Sequence, residues 1–408
     1  MYKNKRLIFS CIALILTAVL LAVIYWYLTL PPTIENQQRH EEIRQALTTG
    51  ETPGVFIYLN DKMKTEFSKV KYGFKYQKPD SIKRLIVLNL KGGLGDEFSA
   101  KRTKIAAEEI GWEVVIINTN TMGNKNLAGQ LFNRDAINFI QPDFVISQHA
   151  MEVVEGIPHY LVFHMLFDMS EKTLRRSYRQ LKNYAGMISV FGDDRMIVEM
   201  SERFKRDNKP FFYTTAYFSS PQKFNDFQKT QHNKIFYCGA RWDSRRSGEE
   251  FSSLITKLDQ DNILDLYGPD VWKEFPDSYK GFLPYDYDTF LNTIKKSGIS
   301  LVIHSQFHYS NNIPSSRIFE AAAASSVIIA DDLKFTRDNF GDSVLYLSPE
   351  LSGQKLYDQI ANHYQWIQDN PEKASILAHK ANSILREKFS LESQLNNIEK
   401  MHKEYMNR

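Results

Sequence analysis

The chain has 408 residues, 43% hydrophobic and 24% charged, which suits two ordinary domains with an appendage and excludes intrinsic disorder. Its 51 basic and 48 acidic residues leave a net charge of only +3, so the polybasic stripe that a phosphate backbone demands is absent and no nucleic-acid partner is expected. The two cysteines, Cys11 inside an apolar run and Cys238 at the end of a predicted strand, offer no zinc spacing and argue against an intramolecular disulfide.

From Leu7 to Leu30 no residue is charged, a run long enough at about 1.5 Å per residue to cross a hydrocarbon core of about 30 Å. The run exceeds the apolar region of a cleaved signal peptide, and Tyr25, Trp26 and Tyr27 read as an interfacial belt, so residues 1–30 are predicted to be a cytoplasmic tip and a single-pass membrane anchor. Lys3, Lys5 and Arg6 precede the span and no basic residue follows before Arg39, which favours a non-cytoplasmic globular part. Pro31 and Pro32 end the helix, and residues 31–54, with the short helical stretch "RHEEIRQAL", read as a stalk.

Two alternating α/β series follow. In the first, over residues 55–219, the continuous apolar run Lys83 to Leu90 ends in "KGGLGDE". After a helix from Ala100 to Ile110 come strands at Trp112 to Asn118, Asp143 to Gln148, His159 to His164 and Gly186 to Phe191, with helices between them. Buried apolar strands joined through amphipathic helices predict a doubly wound parallel sheet. Residues 220–233 are polar and aperiodic and read as a linker. The pattern restarts in the second series, 234–408, with strands at Lys234 to Ala240, Asn262 to Gly268, Ile299 to Ser305 and Ser326 to Asp331. Two such domains in tandem place a cleft between facing carboxyl ends of strands.

The segment "NNIPSSRIFEAAAASSVIIADD", Asn311 to Asp332, carries the most chemical information. Ser315 or Ser316 caps a helix whose free N–H groups suit a diphosphate, Arg317 adds a fork for phosphate oxygens, and Glu320 is placed one turn on to accept two ribose hydroxyls. The bland reading of the same residues is a buried helix on which Glu320 pairs with Arg317. The loop "GARWDSRRSG" concentrates Arg241, Arg245 and Arg246 after the first strand of the second series, where an anionic leaving group would be stabilised.

These features together resemble the donor-binding domain of GT-B glycosyltransferases, in particular the large group 1, family 4-like superfamily that includes retaining hexosyl- and mannosyltransferases. "GARWDSRR" resembles its Gly-Arg loop, "LYGP" follows the second strand, "YKGFLPYDYDTFLNTIKKSGISLVIHS" its glycine-helix-strand segment, and "SSRIFEAAAASSVIIAD" its Glu-helix. The resemblance implies a hexosyltransferase of two tandem Rossmann-like domains, here preceded by the single transmembrane helix read from the apolar run. The donor would be a nucleotide sugar, used as substrate with no cofactor and no metal, and the acceptor a glycan, lipid or protein. It implies that Arg241 and Arg246 hold the diphosphate, with Ser316, Arg317 and Glu320 completing the donor site and Phe282, Leu283 and Pro284 bordering the base. In the family's Glu-x7-Glu motif the second Glu corresponds to Glu320, while the first position, which touches the donor sugar there, holds Asn312. In the first domain Gly92, Gly93 and Asp96 correspond to the turn facing acceptor and phosphate. His164 corresponds to a histidine aimed at the donor sugar, with Arg241 named beside it as catalytic; His149 is a second candidate.

Asp286-Tyr287-Asp288 matches the Asp-x-Asp signature of metal-dependent transferases, but it opens the helix carrying Phe290, Leu291 and Ile294, where Asp is expected as a cap. A degenerate GT-B protein would bind nucleotide or glycan without turnover, and a nucleotide-sugar epimerase would turn over its substrate without an acceptor.

Overall fold

The computed structural model describes residues 34–91, 93–119, 127–163, 170–221, 227–241, 243–284, 286–348 and 352–408. The expected membrane localisation is corrected: among the described residues no helix is long and apolar enough to cross a membrane, and the run from Leu7 to Leu30 lies outside them.

In chain order the strands are β1 (Glu51–Thr52), β2 (Val55–Tyr58), β3 (Arg84–Leu90), β4 (Trp112–Asn118), β5 (Phe144–Ser147), β6 (His159–Phe163), β7 (Gly186–Ser189) and β8 (Tyr213–Thr215). They build one sheet in the order β1-β2-β4-β3-β5-β6-β7-β8. From β4 to β8 every pairing is parallel, with Val87 of β3 opposite Val115 on one side and Val145 on the other. Both faces are covered, so β3 and β4 are apolar along almost their whole length. The edge departs from the expected all-parallel sheet: β1 and β2 form an antiparallel hairpin, and β2 runs antiparallel to β4. Beneath that edge lies the helix Ile34–Thr49, in the stretch read as a stalk. It is no free spacer, since Ile43, Ala46 and Leu47 are buried in the same core as Val55, Ile57 and Val87.

The second sheet contains β9 (Lys234–Cys238), β10 (Leu264–Tyr267), β11 (Tyr279–Gly281), β12 (Gly298–Val302), β13 (Val327–Asp331) and β14 (Val344–Leu347), all parallel, in the order β11-β10-β9-β12-β13-β14. Renumbered within the unit this is 3-2-1-4-5-6, the doubly wound dinucleotide-fold order, whose direction of winding reverses between β9 and β12. The first sheet reverses between β3 and β5. Crevices open at the carboxyl ends of strands at such reversals, and here the two face each other.

The units are joined by more than the 220–233 segment. Thr230 and His232 are buried, and Gln368 Nε2 donates to the His232 carbonyl at 2.6 Å, so the described part of that segment is packed. The helix Leu391–Met406, at the end of the second half of the chain, returns to the first sheet. Its Leu391, Leu395, Ile398 and Met401 share a core with Ile86, Val114 and Ile146, and His402 Nδ1 lies 2.8 Å from the Tyr160 hydroxyl.

Candidate active site

Between the two reversal points lies a cavity of about 560 Å³, within the range typical of small-molecule sites. The helix Leu94–Glu109, which follows β3, brings Gly95, Asp96, Ser99 and Arg102 to it; the first sheet adds Gln148 and Val162. From the second unit come His308, the turn at Pro314 and Ser315, and Ser316, Arg317 and Glu320 of the helix Ser316–Ala323.

The floor of this cavity is a charge triad around a buried carboxylate. Glu320 is 3% exposed; Arg317 Nη1 pairs with its Oε2, and Arg102 Nη1 reaches its Oε1 at 3.4 Å from the other unit. The Arg317 guanidinium also donates through Nε to the Cys238 carbonyl at 3.2 Å and lies 4.5 Å over the Phe290 ring, so a planar cation is fixed at the mouth of β9. The bland expectation that Glu320 pairs with Arg317 therefore holds, but the carboxylate is buried, lines the cavity and is shared with the buried Arg102. Helix periodicity gave no sign of Arg102, whose helix is polar around most of its circumference.

Ser315 occupies the N-cap position without making a side-chain cap bond, and its Oγ is buried with no partner among the described residues. The first N–H groups of the helix Ser316–Ala323 thus open on the cavity beside an unused hydroxyl, an arrangement suited to an anionic oxygen. On the facing side a Cβ at Gly93 or Gly95 would meet nothing within 4 Å, which leaves room for a ligand against that backbone. Gly92 and His164 lie outside the described residues. His149, half-buried after β5, is not among the cavity's lining residues.

The arginine loop divides its work. Arg241 is turned to the Glu274 carboxylate, donates to Ser252 Oγ at 2.6 Å and lies 5.3 Å over the Trp272 ring; it does not line the cavity. Arg246 is held by Asp243, Nε to Oδ2 at 2.6 Å. Arg245 bridges the His304 carbonyl at 3.1 Å and Asp331 Oδ2 at 2.8 Å. Asp331 also takes His304 Nδ1 at 2.6 Å with the imidazole fully buried. Burial alone would raise the Asp331 pKa, but His304 and Arg245 hold it below the usual carboxylate range. This second charged cluster, at the carboxyl ends of β12 and β13, passed unnoticed in the sequence because its members sit in three separate segments.

Asn312 is not at the cavity. Its backbone is left-handed (φ +52°), its Oδ1 accepts from Phe335 N at 2.7 Å, and its carbonyl accepts from Gly192 N of the first unit, also at 2.7 Å. Asp286 caps its helix, accepting from Thr289 N at 2.8 Å, as its context in the sequence required. Phe282 is 60% exposed, while Leu283 packs beside Phe290.

Residues 245–400 match a family model described as glycosyl transferase-like. A search of curated proteins finds no match. Among solved structures, sucrose-phosphate synthase from Thermosynechococcus elongatus has a TM-score of 0.52 at 12% identity, covering 80% of this chain and 100% of that one. An α-glucosyltransferase in complex with UDP-glucose and DNA containing an abasic site has a TM-score of 0.52 at 12% identity, over 78% of this chain and 99% of that one. An α-glucosyltransferase in complex with UDP and a 13-mer DNA gives a TM-score of 0.53, with the same identity and coverage. These likenesses show the fold: two Rossmann-like domains in the GT-B arrangement.

Proposed function

We propose that the chain, whose residues 245–400 match a glycosyl transferase-like family model, is a glycosyltransferase that moves a hexose-type sugar from a nucleotide-sugar donor bound in the cavity between its two units. The observation that carries this reading is the meeting of both winding reversals on one cavity, with Glu320, Arg317 and the open helix start on one wall and Gly95 and Asp96 on the other.

In this reading Glu320 exchanges part of its contact with Arg102 and Arg317 for the ribose hydroxyls. The N–H groups at Ser315 and Ser316 take the diphosphate, with Arg317 beside them and Arg246 in reserve behind Asp243. Fixed positive groups of this kind offset the charge that develops on the leaving diphosphate, so no divalent ion is required. Asp96 carries no hydrogen bond or ion pair to the described residues and faces the acceptor's approach from the first unit. Chemically, the bond from the anomeric carbon to the diphosphate oxygen breaks, a bond to an acceptor hydroxyl oxygen forms, and the hydroxyl proton is released. The α-glucosyltransferase structures hold UDP-glucose or UDP, which makes UDP-glucose the first donor to try.

The test is to incubate the full chain with a panel of nucleotide sugars, with and without chelator, and to follow release of nucleoside diphosphate. Slow release from at least one donor, unchanged by chelator, is expected. Release that vanishes with chelator and returns with manganese would overturn metal independence.

A further inference from the structure

His308 is a half-buried imidazole that lines the cavity and lies outside both the arginine loop and the Glu320 helix. It sits in the short helix Gln306–Ser310, directly after β12, whose N-cap is Ser305. Ser305 Oγ accepts from the backbone N–H of His308 at 3.2 Å and lies 2.6 Å from its Nδ1. A hydroxyl has a single proton, and Nδ1 is the acceptor within reach of it among the described residues, so Ser305 donates to Nδ1. In a neutral ring the remaining proton then sits on Nε2. That atom has no hydrogen-bond partner among the described residues and is not enclosed, so the N–H is left to the cavity.

The charge around the ring agrees with this tautomer. Burial lowers its pKa first, then the neighbouring His304 and Arg246, against Asp243 which raises it, down to about 4. His308 is therefore a neutral donor in the pH range where the fold is intact, and Asp243, the carboxylate acting on the ring, does not offset burial and Arg246. An anionic oxygen fits there, and the open helix start at Ser315 and Ser316 lines the same cavity.

We propose that His308 is a catalytic residue of the transfer, donating a hydrogen bond from neutral Nε2–H to a non-bridging oxygen of the leaving diphosphate, with Ser305 as the positioning residue that fixes the tautomer. This rests on the donor-site reading above. A donor that strengthens its bond as charge accumulates lowers the barrier more than it improves ground-state binding.

The test exploits the two amides that mimic the two ring nitrogens. In the full chain, with UDP-glucose or whichever donor the wild type turns over, His308→Gln keeps an N–H near the place of Nε2 and should retain turnover within about fivefold. His308→Asn places its amide near Nδ1 and should lose about 30- to 100-fold in kcat with KM for donor changed less than about threefold. Histidine ¹⁵N spectra should show Nδ1 unprotonated at neutral pH, with Nε2 shifting when uridine diphosphate is added. Equal activity of His308→Asn and wild type, or a ring protonated at Nδ1, would overturn this assignment while leaving the donor site intact. A wild type that binds no nucleotide sugar at all would overturn the donor site and this assignment together.

Discussion

Arg102 and Glu320, 218 positions apart, meet at 3.4 Å across the two units with both side chains 3% exposed. A buried pair of this kind is costly to break from one side, because the surviving charge is left uncompensated. Arg102→Met leaves Glu320 with Arg317 alone and should loosen the units, seen as a larger radius of gyration in solution scattering. A double-mutant cycle with Glu320→Gln should give a coupling of about 0.5 to 3 kcal/mol. Strict additivity of the two changes would dissolve the bridge.

The second seam between the units is set by a glycine. A Cβ at Gly192 would lie 2.4 Å from the Asn312 carbonyl oxygen and 2.6 Å from Phe335 Cβ. Gly192→Ala should therefore cost about 1 to 3 kcal/mol in unfolding stability. Gly95→Ala is the contrasting case: nothing stands within 4 Å of its Cβ, and it sits in a helix, so stability should hold or rise while turnover falls as the methyl enters the cavity. Thermal unfolding and turnover of the two variants read these effects apart, and equal melting temperatures for both would contradict the packing at Gly192.

Arg241 now has a structural place. With its guanidinium on Glu274, Ser252 and Trp272, Arg241→Ala should lower stability by about 1 kcal/mol and leave turnover within about threefold. Unchanged stability with turnover reduced a hundredfold would show that the side chain swings to the donor.

Acid should destabilise the fold well above the carboxylate range. Burial holds His159, His308 and His402 each at about 4, against 6.5 for the free side chain. Between those values the unfolded chain binds protons that the folded one does not, so stability falls as pH drops through 6.5 and the loss is complete below about 4. Melting temperature should decline steadily from pH 7 to 4.5, and His402→Gln should flatten the slope. A flat profile would mean these rings are accessible and titrate normally.

The parallel sheets were legible because strands buried on both faces are mostly apolar runs, as in Leu85 to Leu88 and Val327 to Ala330. Glu320, Arg317 and Ser316 were legible because they share one helix. The hairpin at β1 and β2, the return of Leu391–Met406 to the first sheet, the Arg102 bridge and the His304–Asp331–Arg245 cluster were not. Each depends on partners brought together only by folding, and nothing in the local spacing marks them. Asn312 marks the opposite case: as a departure from a motif it was visible, but its work between Gly192 and Phe335 was not.

The most direct test of the donor site is calorimetric titration of UDP-glucose, then of the remaining nucleotide sugars, into the full chain and into Glu320→Gln. Gln keeps the shape and one acceptor oxygen of Glu320, so the variant should fold with the lowered stability that an uncompensated Arg102 brings, while a neutral amide is a poorer acceptor for two ribose hydroxyls. The account predicts saturable binding to the wild type and at least a tenfold weaker constant in the variant, with the rate at saturating donor less affected. Identical binding by the folded variant, or no binding of any nucleotide sugar by the wild type, would contradict it.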